Sequence, residues 1–236
     1  MYTTSATWDS LVADPASQFE TRVSINGAYY GKDKLISLKI SAQMFAGQQP
    51  AVGGCISSEL ELSMLAPTAT IPRMARVRPY VRVFKGSTYS EWIPQGVFFI
   101  DTRQTTQNDD GLDVLTLHCY DAMLKTEADF PSTSHSWPAT LSEVVGDIRA
   151  AIGVSVGQET WDYMSSFGYG RAIGLPVGFS MREVLSQIAS MCAGNWIMDY
   201  DGKLKLIALN GIPKETNYLI DTAGSAITFG GDRILV

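Results

Sequence analysis

Glu59-Leu60-Glu61-Leu62-Ser63-Met64 alternates charged or polar side chains with apolar ones for six residues. A period of two puts all three apolar groups on one side of an extended chain, whereas a helix would scatter them. The stretch therefore predicts a half-buried β-strand, and its neighbours repeat the pattern. Downstream, Pro67 and Pro72 close it, and Arg76, Arg78 and Arg82 then alternate with Val77, Val81 and Val83. Pro79 lies inside this second run and has no N–H for a ladder, which predicts an edge strand or a bulge there. Gln95-Gly96 opens a strand over 97–102, Asn108-Asp109-Asp110-Gly111 is a polar turn, and 114–120 reads as another strand.

Upstream, Val23 and Ile25 alternate with Arg22 and Ser24 and run into Asn26-Gly27. Both turn residues tolerate positive φ, so this is a hairpin signal with its return strand over 28–30. A strand over 35–40 and a Gly/Gln/Pro loop over 44–54 follow. Residues 1–18 show no period beyond a short helix at 8–12. Six to eight short strands at this spacing predict an antiparallel sandwich or β-barrel-like domain over 19–125.

The second half changes character after a Ser/Thr/Pro linker at 130–138. Leu141, Val144, Val145, Ile148 and Ile152 share one helical face, with Thr140 and Glu143 as a capping box and Gly153 as the stop. Forty residues later Ser180 with Glu183, the stripe Met181, Val184, Leu185, Ile188 and Cys192, and Gly194 repeat that signature. The two helices read either as an internal repeat or as unrelated amphipathic segments. A hairpin follows: a strand over 195–199, Asp201-Gly202 as the turn, and a strand over 204–209. Residues 126–220 thus form a small α+β domain, and the whole chain is a β-rich α+β protein.

Composition narrows the function classes. The chain has 236 residues and a net charge of −6, with an isoelectric point near 4.9. A general electrostatic grip on nucleic acid needs a surplus of Lys and Arg, which is missing. Cys55, Cys119 and Cys192 are odd in number and widely spaced, so they read as free, buried thiols rather than a zinc site or disulfide framework. No apolar run approaches a membrane span, and no signal peptide is visible, which predicts a chain made in a cytosol and soluble there.

No constellation carries chemistry. Gly153-Val154-Ser155-Val156-Gly157 fits GxSxG, but a helix precedes the serine where a nucleophile elbow needs a strand. No helix is expected at once after it, and both His118 and His135 come before it. Gly168-Tyr169-Gly170-Arg171-Ala172-Ile173-Gly174 neither follows a convincing strand nor opens a helix, as phosphate binding there requires. Asp199-Tyr200-Asp201-Gly202 starts like a calcium loop but lacks the later oxygen ligands. Asn108 to Asp113 could hold a cation weakly but reads better as a solvated turn. Glu59 and Glu61 read as a solvated strand face, and His118 as a hydrogen-bonded strand residue. The expectation is no enzyme activity, no cofactor and no metal.

Arg76, Arg78 and Arg82 form a one-sided basic ridge with Tyr80 on the same face. The ridge would meet phosphates or, in a net acidic protein more readily, Asp and Glu of a neighbouring subunit. Arg and Tyr are typical interface anchors, and Arg76, Arg78, Tyr80, Arg82 and Trp92 are the candidate interface residues. A rival reading is a carbohydrate- or host-surface-binding β module with Trp92, Trp137 and Trp161 as an exposed stacking platform; a cell-wall hydrolase ranks below it.

Four strings in order resemble the baseplate-hub and tail-associated proteins of bacteriophage tails. Val52-Gly53-Gly54 followed by Ser58-Glu59-Leu60-Glu61-Leu62 is similar to their front region. Trp92-Ile93-Pro94-Gln95-Gly96-Val97-Phe98-Phe99-Ile100-Asp101 resembles their W-x-P-x-G-x-F-x-I strand. Tyr120-Asp121-Ala122-Met123 matches an aromatic-Asp-x-Met segment. The helix over 180–194 with Asp201-Gly202-Lys203-Leu204 looks like part of the second domain. The resemblance covers 19–210. It implies a structural subunit of a virion or prophage tail tip: a self-associated ring, typically a trimer, whose barrel is tube-like. The α+β domain would brace the ring. The distal tail protein, the tape measure protein and a tail spike or fibre would be its neighbours. Family members usually carry a second barrel, and 221–236 looks like the opening of one.

Overall fold

The computed structural model describes residues 3–43, 45, 51–133, 136–166, 172–208, 228–229 and 232–233. Helix α1 (Ala6–Val12) leads into strands β1 (Gln18–Ile25), β2 (Ala28–Tyr30), β3 (Leu35–Ser41), β4 (Glu59–Leu65), β5 (Arg76–Lys85), β6 (Thr88–Tyr89), β7 (Ile93–Pro94), β8 (Phe98–Gln107) and β9 (Asp113–Asp121). They form one antiparallel sheet in the order β2-β1-β5-β8-β9-β4-β3, with β6 and β7 also on β5. The hairpin at Asn26-Gly27 forms as expected, with φ of 48° and 91° at the two turn residues.

The alternation that predicts β4 holds. Leu60, Leu62 and Met64 are fully buried, and each such side chain contributes roughly 1.5–3 kcal/mol. They join Val23, Ile25, Val77, Phe98, Leu117 and Cys119 in one cluster. That cluster takes in Tyr30 and Ile40 from the two ends of the strand order, and its described members outside the strands are Ile71, Ala75 and Ala66.

Two expectations are corrected. The predicted barrel is not closed: the strand order ends at β2 and β3, with no pairing between them among the described residues. The three-residue β2 offers little ladder for closure. Nor is the Pro79 strand an edge. β5 pairs β1 over eight residues on one side and β8, β7 and β6 in turn on the other. Pro79 lies where β5 leaves β8 at Val77 and meets β7 at Tyr80. Its carbonyl accepts from Gln95 N–H on that side, so the donor it lacks faces a gap in the ladder.

A second core holds the helices. The 3₁₀ helix Ala122–Glu127 is followed by β10 (Ala139–Thr140), α2 (Leu141–Ile152), α3 (Gln158–Ser166), β11 (Ala172–Ile173), α4 (Met181–Met191), β12 (Gly194–Met198) and β13 (Leu204–Ala208). Both predicted capping boxes form, and the predicted stripes of α2 and α4 line the core with Trp196. Gly153 ends α2 in the left-handed region, as expected. Gly194 does not end α4. Ala193 takes the left-handed conformation there, and Gly194 is needed because a Cβ would lie 2.6 Å from the Ile207 carbonyl oxygen across the hairpin. β14 (Thr228–Phe229) pairs β15 (Asp232–Arg233). The expectation that 221–236 opens a second barrel lies otherwise outside the described residues.

Residues 53–56 tie the two cores together. Gly53 N–H donates to Gly194 O, Trp196 N–H to Gly54 O and Ile56 N–H to Trp196 O, so this stretch runs along β12 as an added parallel partner. Asn195 clamps it, accepting from Gly54 N–H and donating to Ala51 O.

Candidate functional site

The register of β1 on β5 builds a face that the sequence of β5 alone does not reveal. Residues directly opposite share a side of the sheet. Glu20 stands across from Arg82, Arg22 from Tyr80 and Ser24 from Arg78, while β2 puts Tyr29 across from Ser24. On the other flank Pro94 pairs with Tyr80 and Tyr89 with Phe84.

Cations and rings interleave on this face. The Arg22 guanidinium carbon lies 4.2 Å from the Trp92 ring centre, 4.5 Å from Tyr29 and 5.2 Å from Tyr80. Arg82 covers the other side of the series, 4.5 Å from Trp92 and 4.2 Å from Tyr89. Tyr89 in turn stacks on Phe84 at 5.3 Å. Trp92 is thus shared by two guanidinium groups. Replacing Trp92 with alanine is expected to cost about 2 kcal/mol of unfolding free energy in urea titrations, the sum of two partly desolvated cation–π contacts. A loss under about 0.5 kcal/mol would show that the stacking carries no energy.

The four arginines are not equivalent. Arg82 is committed to its own chain, with Nε donating to Glu20 at 2.7 Å and the terminal nitrogen at 2.6 Å. Among the described residues, no carboxylate lies within ion-pairing distance of Arg22, Arg76 or Arg78, and the Nε atoms of Arg22 and Arg78 are buried without a hydrogen-bond partner. Arg76 is exposed at the end of β5, opposite Phe99. There it adds to a positive field: Lys125, whose ammonium lies 3.9 Å from the Phe99 ring centre, has its pKa pushed down by burial and then by Arg76. Uncompensated positive charge therefore gathers at Arg22, Arg76, Arg78 and Lys125.

The structure brings together four of the five candidate interface residues, Arg78, Tyr80, Arg82 and Trp92, and places Arg76 farther along the same strand face. It adds Arg22, Tyr29 and Tyr89, which the sequence reading missed. The signal for Arg22 is its place in the same alternation as Val23 and Ile25, one hairpin away from Tyr29. The three tryptophans of the rival reading lie on separate elements. Trp92 is held between guanidinium groups, while Trp137 and Trp161 pack against the second core.

The remaining motifs resolve into structure. Ser155 offers its carbonyl to Leu204 N–H, and Val156 bridges to Leu204; contrary to the expectation, a helix, α3, starts soon afterwards at Gln158. His118 lies edge-on to Tyr120 and 3.8 Å from Glu59. His135 and residues 167–171 of the glycine-rich string lie outside the described residues. Asp199 accepts the N–H groups of Asp201 and Lys203 and so shapes the predicted hairpin turn. The three cysteines are free, and burial pushes the Cys55 and Cys119 thiols up to about 12, which keeps both protonated. A cleft of about 710 Å³ opens between the sheet and the β12–β13 hairpin, and the Lys205 and Glu159 on its wall are already paired at 2.5 Å. No group of three or more His, Cys, Asp or Glu placed to hold a metal occurs among the described residues, and none of their helices is long and apolar enough to cross a membrane.

With the sheet, its face and the helical core in view, comparison with solved structures decides the fold. The 43 kDa tail protein of prophage MuSo2 from Shewanella oneidensis superposes with a TM-score of 0.51 over 81% of this chain and 56% of that one, at 13% identity. The architecture is similar to that of a prophage tail protein. A tail protein from Neisseria meningitidis MC58 gives a TM-score of 0.48 at 11% identity, over 89% of this chain and 54% of that one. The chain therefore spans little more than half the length of these two proteins. No family model matches the sequence, and no curated protein does. The resemblance to tail proteins read from the sequence holds at the level of fold.

Proposed function

We propose that this chain is a structural component of a phage or prophage tail, and within the tail a subunit of the tip. The observation that carries the reading is the fold shared with a prophage tail protein across four-fifths of the chain. The sheet and the helical core would form a tube-like unit and its brace. Copies would associate as a ring, in the hub manner a trimer, beside the distal tail protein, the tape measure protein and a spike or fibre. Two features support self-association. Among the described residues the sheet keeps open edges at β2 and β3, which invite pairing, and its outer face concentrates Arg, Tyr and Trp, the residues enriched at interface hot spots.

Tails purified from the phage or prophage that encodes the chain test this reading. Mass spectrometry is expected to find the chain in them, and immunogold labelling to mark one end. Its absence from tails, or label along their whole length, would sink the tip assignment.

A further inference from the structure

The free cations of the β5 face have free anions to match on the same molecule. Between Ile100 and Thr102 the register of β8 on β9 slips by one residue, so Asp101 is a bulge. Beyond it, residues 101–107 of β8 are exposed throughout and have no second strand beside them among the described residues, while β9 stays paired with β4 out to Val114, so the β8–β9 turn stands at the end of an open sheet edge. Its tip is fixed rather than slack. The Asn108 side-chain oxygen accepts the N–H groups of Asp110 and Leu112, the Asn108 N–H donates to Leu112 O, and Gly111 supplies the positive φ.

The tip presents Asp109, Asp110 and Asp113, all exposed, with Leu112 half exposed beside them. None of these carboxylates has an ion-pair partner among the described residues. Several other acids are engaged, Glu20 with Arg82, Glu61 with Lys39, Asp14 with Lys85 and Glu127 with Arg182, and among the described residues Asp33, Asp101 and Asp129, further acids without an ion pair, lie apart from one another in the sequence. Three unpaired carboxylates within five residues thus match a patch holding Arg22, Arg76 and Arg78 without carboxylate partners.

We propose that the acidic β8–β9 turn of one copy docks on the Arg22, Arg76 and Arg78 face of a second copy. Charge complementarity selects the occupant. Arginine forks donate two parallel hydrogen bonds to a carboxylate, and in this contact the exposed Tyr29 would give the exposed Leu112 an apolar neighbour. The two contact surfaces differ, so the contact is heterologous. It repeats head to tail and closes only as a ring, or else grows as a filament. This inference rests on the tail reading by giving its self-association a surface.

Sedimentation of the full-length chain tests it with two charge-reversed variants, Arg76→Glu with Arg78→Glu, and Asp109→Lys with Asp110→Lys. Wild type is expected to self-associate, more weakly as salt rises, and each variant to lose at least about tenfold in association constant with its thermal melt unchanged. An equimolar mixture of the two variants recreates opposite charges across the contact and is expected to return to within about threefold of wild type. Arg78 is half buried, so Arg76→Glu alone serves if the double variant melts early. Wild type that stays monomeric to about 0.5 mM, variants that associate as wild type does, or a mixture no stronger than its parts would each overturn the contact. Any of these, with the chain still found at one tail end, leaves the tail reading standing; a chain absent from tails whose charge reversals behave as expected does the reverse.

Discussion

Replacing Trp196 with alanine is expected to lower the unfolding free energy by about 3–5 kcal/mol. Trp196 is fully buried on β12, and its indole N–H donates to Leu185 O of α4 at 2.8 Å. Around it lie Leu185, Ile188, Leu204 and the α2 stripe, so truncation leaves a void that those side chains fill only in part. The site also matters beyond its volume. The Trp196 N–H and carbonyl are the two backbone groups that hold Gly54 and Ile56, so the residue sits where the helical core grips the strap from the sheet. The variant is therefore expected to loosen the strap as well as the core. Urea titrations followed by far-UV circular dichroism measure the loss, and Trp196→Phe, which keeps most of the volume and drops the N–H, is expected to cost about 1–2 kcal/mol. A loss below about 1 kcal/mol for alanine would mean that the core closes up without the indole.

What the sequence made legible was local. The alternation of 59–64, the Asn26-Gly27 turn, both capping boxes and the stripes of α2 and α4 each lie within one element, where propensity and pattern act together. The missed features depend on partners far along the chain. Arg22 enters the candidate site through the register of β1 on β5, with about sixty residues between them, and no pattern within either strand specifies it. The outer half of β8, Asp-Thr-Arg-Gln-Thr-Thr-Gln, has no apolar alternation and so ends at 102 in the sequence reading; it is extended because β9 pairs with it out to Asp113. Helix α3 went unread because Gln-Glu-Thr-Trp-Asp-Tyr-Met-Ser-Ser shows no clear stripe; Tyr163 and Met164 hold it by burial in the second core. Pro79 misled for the same reason: a proline marks one missing donor, and whether that makes an edge or a gap depends on the strands alongside. The resemblance strings gain a physical content in return. In 92–100, Trp92 is the shared ring of the arginine face. Gly96 has φ of 129°, and a Cβ there would meet the Phe98 ring at 2.7 Å, while Phe98 and Ile100 are buried in the sheet's core.

Tyr120-Asp121-Ala122-Met123 marks the junction of the two cores, and Asp121 is expected to be the costliest polar residue to remove. It ends β9 and caps the 3₁₀ helix with its side chain buried. The carboxylate accepts from Ser58 N–H at 2.7 Å, Met123 N–H at 2.9 Å and the Ser57 hydroxyl at 2.9 Å. Alanine leaves two buried N–H groups without an acceptor, so Asp121→Ala is expected to cost about 3 kcal/mol at neutral pH. Asparagine keeps one acceptor but turns an NH₂ toward a donor, for about 1–2 kcal/mol. The pH dependence distinguishes burial from hydrogen bonding as the dominant influence. Burial, the larger effect, raises the Asp121 pKa against the pull of the three hydrogen bonds and Arg182. A carboxyl whose folded value lies above its unfolded one binds its proton more tightly in the folded state. Its contribution to stability is full below the unfolded value and is lost as pH rises through the folded one. Asp121→Asn removes that titration, so the stability gap between wild type and variant is expected to widen as the pH falls from about 7 to below 4. Urea titrations of both proteins across that range give the gap directly. A gap that narrows on acidification would mean that the hydrogen bonds hold the carboxylate charged, and that burial at the junction is the weaker influence.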